Sequence, residues 1–162
     1  MFDKFFSSPI PFITLVIAWT IISSIFFFIQ KKKNISNFKQ ADSKELKNID
    51  GIIITQKLFL NKTEWYHFDV LINQNSIFVF PKYLYFIYGR TINLIFSDSN
   101  KKNTKRPMLL REYKIINSNN IELVYYPSFL ISRSRKIYLK NLSQEQISLL
   151  ENTLNNKSRR RY

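Results

Sequence analysis

An uninterrupted apolar stretch near the N-terminus constrains this chain more than any other feature. Residues Pro9–Ile29 carry no charge, and as a helix they would be about 31 Å long, close to the hydrocarbon thickness of a bilayer. Lys31, Lys32 and Lys33 then end the stretch abruptly. A cleaved signal peptide would have a shorter apolar region, preceded rather than followed by basic residues. The sequence therefore predicts an uncleaved transmembrane helix over Pro9–Ile29.

The charges that flank this stretch predict its orientation. Asp3 and Lys4 lie in the short N-terminal tail, residues 1–8, whereas three lysines follow the apolar residues. The positive-inside rule then places the tail outside and the rest of the chain in the cytoplasm, as in a single-pass protein of the inner or plasma membrane. Lys31, Lys32 and Lys33 would lie at headgroup depth and attract anionic lipid by about 1 kcal/mol each, or else only fix the topology.

Thr20 and Ser24 lie four residues apart, and so on one face of the predicted helix. Small polar residues at this spacing can pair two membrane helices. Because no glycine motif accompanies them, we expect both hydroxyls to bond back to their own helix instead.

After a polar linker, residues 30–50, the pattern changes to short apolar or alternating runs, which are typical of strands. Ser43–Lys47 within the linker is compatible with a short helix, and Tyr83–Tyr88 with either strand or loop. The links between strands are short, so we expect a mainly antiparallel sandwich or open barrel within residues 51–156. The seven predicted strands are Gly51–Leu60, Glu64–Ile72, Ile77–Phe80, Thr91–Ser97, Met108–Ile116, Ile121–Tyr126 and Arg135–Leu142.

The last strand is followed by a helix signal. Ser143 and Gln146 form a capping box, and Leu142 and Ile147 have the spacing of a hydrophobic staple. The pattern predicts a helix over Gln144–Asn155 that covers one end of the sheet, before a basic tail at residues 157–162. The fold class is therefore α+β.

The run from Lys136 through the capped helix, with the strand-to-loop step at Ile77–Lys82, resembles the pleckstrin-homology superfold. In particular it resembles the bacterial PH-like domains found beside transmembrane helices, over about residues 51–156. The resemblance implies a scaffold that binds lipid headgroups or peptides and performs no chemistry. Lys57 and Lys62 are the only basic residues on the first hairpin, so specific phosphoinositide recognition is not expected.

A formal net charge of +14 favours polyanionic partners. If the basic loops lie at one end of the sheet they form a cationic face for anionic headgroups; otherwise they are solvated charges. Nucleic acid is not an expected partner, because the aromatic residues fall on strand faces that suit a core. The candidate contacts are Lys101, Lys102, Lys105, Arg106, Arg133, Arg135 and Lys136.

Groups suited to catalysis are few. His67 is the single histidine, and Asp69 lies on the same strand face, but the chain has no cysteine and no nucleophile-elbow motif. We expect no enzymatic activity, no cofactor and no metal.

These patterns together predict a membrane-anchored, non-enzymatic binding or adaptor module. It would present its basic domain at the cytoplasmic face to a protein partner or to anionic lipid headgroups. The alternative is a small structural or regulatory subunit of a membrane complex, assembled through its transmembrane helix.

Overall fold

In the computed structural model the chain forms two compact units, Met1–Phe38 and Lys39–Tyr162. The structure describes residues 10–56, 60–83, 87–97, 106–127 and 134–158. The two helices and eight strands, numbered in chain order, are α1 (Ile10–Phe38), β1 (Lys44–Gln56), β2 (Asn61–Ile72), β3 (Ser76–Tyr83), β4 (Ile87–Tyr88), β5 (Ile92–Ile95), β6 (Pro107–Asn117), β7 (Asn120–Tyr125), β8 (Arg135–Lys140) and α2 (Gln144–Ser158).

Helix α1 extends beyond the predicted span, through the three lysines, and ends at Phe38. Among its described side chains, the large apolar ones between Phe12 and Ile29 are exposed. Thr20 Oγ1 donates to the Val16 carbonyl and Ser24 Oγ to the Thr20 carbonyl, each at 2.7 Å. The prediction that these hydroxyls bond within their own helix is confirmed.

In the part of the chain that the structure describes, no helix combines the length and apolarity needed to cross a membrane. The transmembrane span over Pro9–Ile29 therefore stays a prediction, and Pro9 itself lies outside the described residues.

Seven strands of the second unit close into a barrel in the order β1–β2–β3–β5–β6–β7–β8, with β8 paired back to β1. The two-residue strand β4 only extends the end of β3. The α+β class with about seven strands and a C-terminal helix is confirmed, and the barrel is closed rather than open or a sandwich. One pairing differs from expectation, because β5 and β6 are parallel. β5 has only four residues and is about 13 Å long. The connection from Phe96 to Arg106 is therefore long enough to reach the barrel end at which β5 begins, so that β6 starts there too.

Alternating residues of the ring strands point inward and form the core. Phe68 and Val70 of β2, like Leu123 of β7 and Ile137 of β8, are fully buried there. At Gly51 the backbone of β8 approaches so closely that an added Cβ would lie 2.0 Å from the Tyr138 carbonyl oxygen. Glycine is therefore required at this crossing.

Strand β1 begins at Lys44, so the short helix considered for Ser43–Lys47 is wrong. Leu46 and Ile49 both face the core, although their spacing of three breaks the alternation. A bulge between them restores the register, with Asn48 in the left-handed region at φ 53°. Burial of these two side chains explains why the segment joins the sheet.

Helix α2 begins as predicted. The Ser143 amide donates to Gln146 Oε1 at 2.9 Å, and the Gln146 amide donates to Ser143 Oγ at 3.3 Å, which is a capping box. Leu150 and Leu154 are fully buried in the same cluster as the strand core. The helix thereby covers one end of the barrel, which we call the closed end.

A buried ion pair lies on the outer face of β2 and β3. Lys82 Nζ donates to Asp69 Oδ1 at 2.7 Å, and both side chains are about 95 % buried. Tyr88 Oη donates to Asp69 Oδ2 at 2.7 Å, the Asn48 amide donates to Oδ1 at 3.0 Å, and Lys82 also bonds the Asn48 side chain. These partners compensate the desolvation of both charges.

Replacing Lys82 by Met should lower the free energy of unfolding by about 3–5 kcal/mol, because the Asp69 carboxylate would stay buried without its counter-charge. Urea unfolding followed by circular dichroism measures this. The matched control is Lys62→Met, whose side chain is exposed in its pair with Glu64 and should cost less than about 1 kcal/mol. Equal losses in the two variants would contradict the interpretation.

Candidate functional site

The barrel end opposite α2 carries the candidate site. It contains a cavity of about 1100 Å³, bounded by the ends of β1 and β3 and the starts of β2, β5, β6 and β8. We call this cavity the mouth. Its charged and tyrosine side chains are Lys62, Glu64, Tyr66, Tyr83, Arg90, Arg106 and Arg135.

The charge of the mouth is strongly one-sided. Among the described residues of the lining, Lys62, Arg90, Arg106 and Arg135 are cationic and Glu64, 2.9 Å from Lys62 Nζ, carries the one carboxylate. Three arginines therefore remain without a carboxylate partner within salt-bridge distance among the described residues. Convergent arginines favour carboxylate or phosphate ligands, since the guanidinium group binds such planar or tetrahedral anions through paired N–H donors.

Strand alternation explains how two of these side chains reach the mouth. Lys62 lies an even number of residues from the core residue Phe68 on β2, and Arg135 an even number from Ile137 on β8. Both therefore belong to the inward-facing sets, at positions where the strands have passed beyond the apolar core. Arg106 precedes β6 in the left-handed region, at φ 52°.

Tyr125 Oη and Arg135 Nε are buried, on residues that pair across β7 and β8. Arg135 lines the mouth, whereas Tyr125 is not among the described residues of the lining. Tyr125 is fully buried. Burial raises the pKa of its hydroxyl, whereas the charge of Arg135, the hydrogen bond with Arg135 and the charge of Arg90 oppose that rise.

Tyr66 and Tyr83 form part of the wall. Their hydroxyls are 2.8 Å apart and their rings meet edge to face with centroids 4.8 Å apart. Burial, followed by the hydrogen bond with Tyr83, raises the pKa of Tyr66 above its ordinary value. The other described residues of the lining are Thr91 and the apolar residues Ile53, Pro81, Ile92, Pro107, Met108 and Pro127. The mouth thus joins apolar walls to a cationic lining.

The structure brings together two of the predicted contact residues, Arg106 and Arg135, at the mouth. Lys136 does not join them, because it lies on the outer face with its Nζ 3.4 Å from Glu122 Oε1. Lys101, Lys102, Lys105 and Arg133 lie outside the described residues, and so do the side chains of Lys31, Lys32 and Lys33.

Sequence reasoning missed Lys62 and Arg90 as members of this site. Lys62 had a signal, because it continues the inward set of β2 past Tyr66 and Glu64. Arg90 lies just before β5, and nothing in its local sequence indicates that it meets residues from β6 and β8.

The histidine has a different partner from the one considered. His67 Nδ1 lies 2.7 Å from Asp50 Oδ1 on the neighbouring strand β1, whereas Asp69 is bonded to Lys82. No group of three or more potential metal ligands occurs in the part of the chain that the structure describes.

No protein-family model matches this chain, and no curated protein matches its sequence.

Stability should fall at alkaline pH because of buried phenols. Burial, then the hydrogen bond and charge of Glu122, raise the pKa of Tyr138 to about 12. A phenol in the unfolded chain ionises near pH 10, so the folded state holds more protons above that pH and loses stability as pH rises. Unfolding free energies from urea titrations should be constant up to about pH 10 and then decline.

The slope above that pH should be shallower in Tyr138→Phe, which removes one of the shifted groups. Tyr126→Phe, on an exposed side chain, is the matched control and should leave the slope unchanged. Identical slopes in both variants would contradict the assignment.

Proposed function

We propose that this chain is a non-enzymatic binding module, held at a membrane by its N-terminal helix, whose mouth binds anionic groups of a ligand. The observation that carries the proposal is that the described lining of the cavity brings together four cationic side chains and one carboxylate. An anion about 4 Å from a single one of these charges would gain about 4 kcal/mol at the effective dielectric typical of such sites, before desolvation is subtracted. The shared chemistry is that of carboxylate and phosphate ligands.

The membrane anchor is supported by the sequence and by the exposure of its side chains. The residues from Pro9 to Ile29 include no charged side chain. Large apolar side chains at successive positions of α1 are exposed, among them Phe12 at 74 % and Trp19 at 71 %. An apolar surface on every side of a helix suits lipid rather than water. The lysines that follow favour a cytoplasmic location for the barrel.

The PH-like assignment belongs to the same proposal. A seven-stranded barrel with its last helix over one end is compatible with that superfold, which presents ligand sites on a rigid scaffold. His67 and Asp50 lie outside the mouth lining, so we assign them no chemical step.

The alternative function, a subunit assembled through its transmembrane helix, stays a prediction. Thr20 and Ser24 were the residues that suggested helix pairing, and their hydroxyls bond to the backbone of α1 itself. The contacts described in α1 therefore give this alternative no specific support.

Pyranine, a small trisulfonated dye, tests the mouth directly. Full-length protein in phosphatidylcholine nanodiscs should bind it in low salt, and Arg106→Gln with Arg135→Gln should weaken binding at least about tenfold, or ~1.4 kcal/mol. The control pair is Lys114→Gln with Lys136→Gln, which removes the same charge outside the mouth lining and should change affinity less than about twofold. Equal weakening in the two pairs, or no binding at all, would contradict the proposal.

The anchor is tested separately by placing charge within the apolar stretch. The wild-type protein should resist extraction from membranes by alkaline carbonate, whereas Leu15→Lys with Ile22→Lys should be released, because each lysine costs about 2.5–3.5 kcal/mol at a helix centre. Lysines at Asn117 and Ser118, in the exposed β6–β7 turn, serve as the control. Extraction of the wild-type protein would show that the helix does not span the bilayer.

A further inference from the structure

The cations of the mouth lie further from the barrel core than its apolar residues do. Three strands that start at the mouth, β5, β6 and β8, each have an arginine at or just before the strand start and an apolar residue two positions later. The three pairs are Arg90 and Ile92, Arg106 and Met108, and Arg135 and Ile137. The apolar member of each pair belongs to the core or packs against it, whereas Arg90 and Arg106 are exposed and Arg135 is half-buried.

The strand register gives the same order on the wall made by β1, β2 and β8. Lys62 of β2 and Arg135 of β8 are both paired with Thr55 of β1. Ile53 lies two residues further into the barrel, about 7 Å along the strand, and is paired with Glu64. We call the outer, cationic level the rim and the inner, apolar level the floor. The rim consists of Lys62, Arg90, Arg106 and Arg135, and the floor of Ile53, Ile92 and Met108.

Glu64 disfavours an anion at the depth of the floor. It lies at the level of Ile53, and its carboxylate is 2.9 Å from Lys62 Nζ. A second negative charge at that depth would be repelled, whereas the arginines of the rim have no carboxylate within salt-bridge distance among the described residues. The anionic group of a ligand is therefore expected at the rim, where guanidinium groups can bind it.

The floor favours an apolar part of the same ligand. Ile53 and Ile92 are 5 % and 4 % exposed, Met108 is half-buried, and all three line the cavity. A free inorganic anion would contact the rim alone and leave this apolar surface in water. Each CH₂ group that a ligand buries on the floor should strengthen binding about fourfold, or ~0.8 kcal/mol.

The size of the mouth suits a small molecule. Its volume of about 1100 Å³ is at the upper limit of small-molecule sites, which measure roughly 300–1,000 Å³. Such sites combine an apolar lining with a few polar groups that fix the orientation of the ligand. Here the polar groups are cations, and they are collected at one level.

We infer that the mouth binds a small aliphatic acid, with its anionic group at the rim and its aliphatic part on the floor. This inference rests on the proposed function, which requires only that anions bind in the mouth. It deepens that function by naming the class of ligand and the direction in which the ligand enters.

A chain-length series tests the floor. Acetate, butanoate and hexanoate compete with pyranine for the full-length protein in phosphatidylcholine nanodiscs, and dialysis against empty discs gives the free concentration of each acid. Affinity should rise about tenfold at each step of two CH₂ groups, because the added groups leave water for the floor. Hexanamide, the neutral analogue of hexanoate, should compete at least about tenfold more weakly, since it lacks the charge that the rim binds.

Two sets of variants separate the rim from the floor. Arg106→Gln with Arg135→Gln should weaken all three acids by a similar factor, about tenfold, and preserve the gain at each step. Met108→Gln should instead reduce that gain to about threefold or less, because it places a polar amide on the floor; circular dichroism checks its fold. Ile116→Gln, on an exposed side chain of the same strand, is the matched control and should preserve both affinity and gain.

Equal competition by acetate and hexanoate, in wild-type protein that binds pyranine, would overturn the inference and leave the proposed function standing. This series needs no variant, so a misfolded mutant cannot obscure it. Competition by hexanamide as strong as that by hexanoate would overturn the position of the anionic group at the rim. An unchanged gain in folded Met108→Gln would overturn the role of the floor. Absence of pyranine binding would overturn the proposed function itself.

Discussion

Parallel pairing of β5 with β6, together with the β2–β3 and β8–β1 pairs, gives each of the seven ring strands two neighbours. Because the ring is closed, every inward side chain shares one enclosed space, and the two ends of that space acquire different chemistry. At one end α2 inserts leucines into the core. At the other the strands run on past the apolar residues, and their inward positions carry arginine, lysine and tyrosine.

Charged side chains occur in two contrasting arrangements in the barrel. Lys82 and Asp69 are buried against each other, and Tyr88 and the Asn48 amide donate further hydrogen bonds to the Asp69 carboxylate. The arginines of the mouth instead lie together without matching carboxylates in the part of the chain that the structure describes. A satisfied buried pair contributes to a unique structure, whereas unmatched converging charge repels itself until an anion binds. The first arrangement suits a scaffold, and the second suits a binding site.

Local patterns in the sequence predicted local structure well. The alternation from Glu64 to Ile72 marked β2, and Ser143 with Gln146 marked the start of α2, because the interactions that decide both are between near neighbours in the chain. The start of β1 was missed because a bulge at Asn48 interrupts its alternation. The parallel β5–β6 pair was missed because strand direction depends on where a long connection returns.

The candidate site was only partly predictable for the same reason. Arg106 and Arg135 were named from basic clusters, yet their meeting with Arg90 and Lys62 depends on four strands that lie far apart in sequence. Lys136 belonged to the same cluster as Arg135, and the two-residue period of β8 sends it to the opposite face. The positions of basic residues along the chain can be read from the sequence, but the closure of the ring decides which of these residues come together in space.

The pairing of β1 with β8 also affects how the protein folds during its synthesis. The edge of β1 that pairs with β8 stays open until Lys140 has emerged from the ribosome, so most of the chain must be synthesised before the ring closes. Strand edges that wait in this way are prone to pair with other chains.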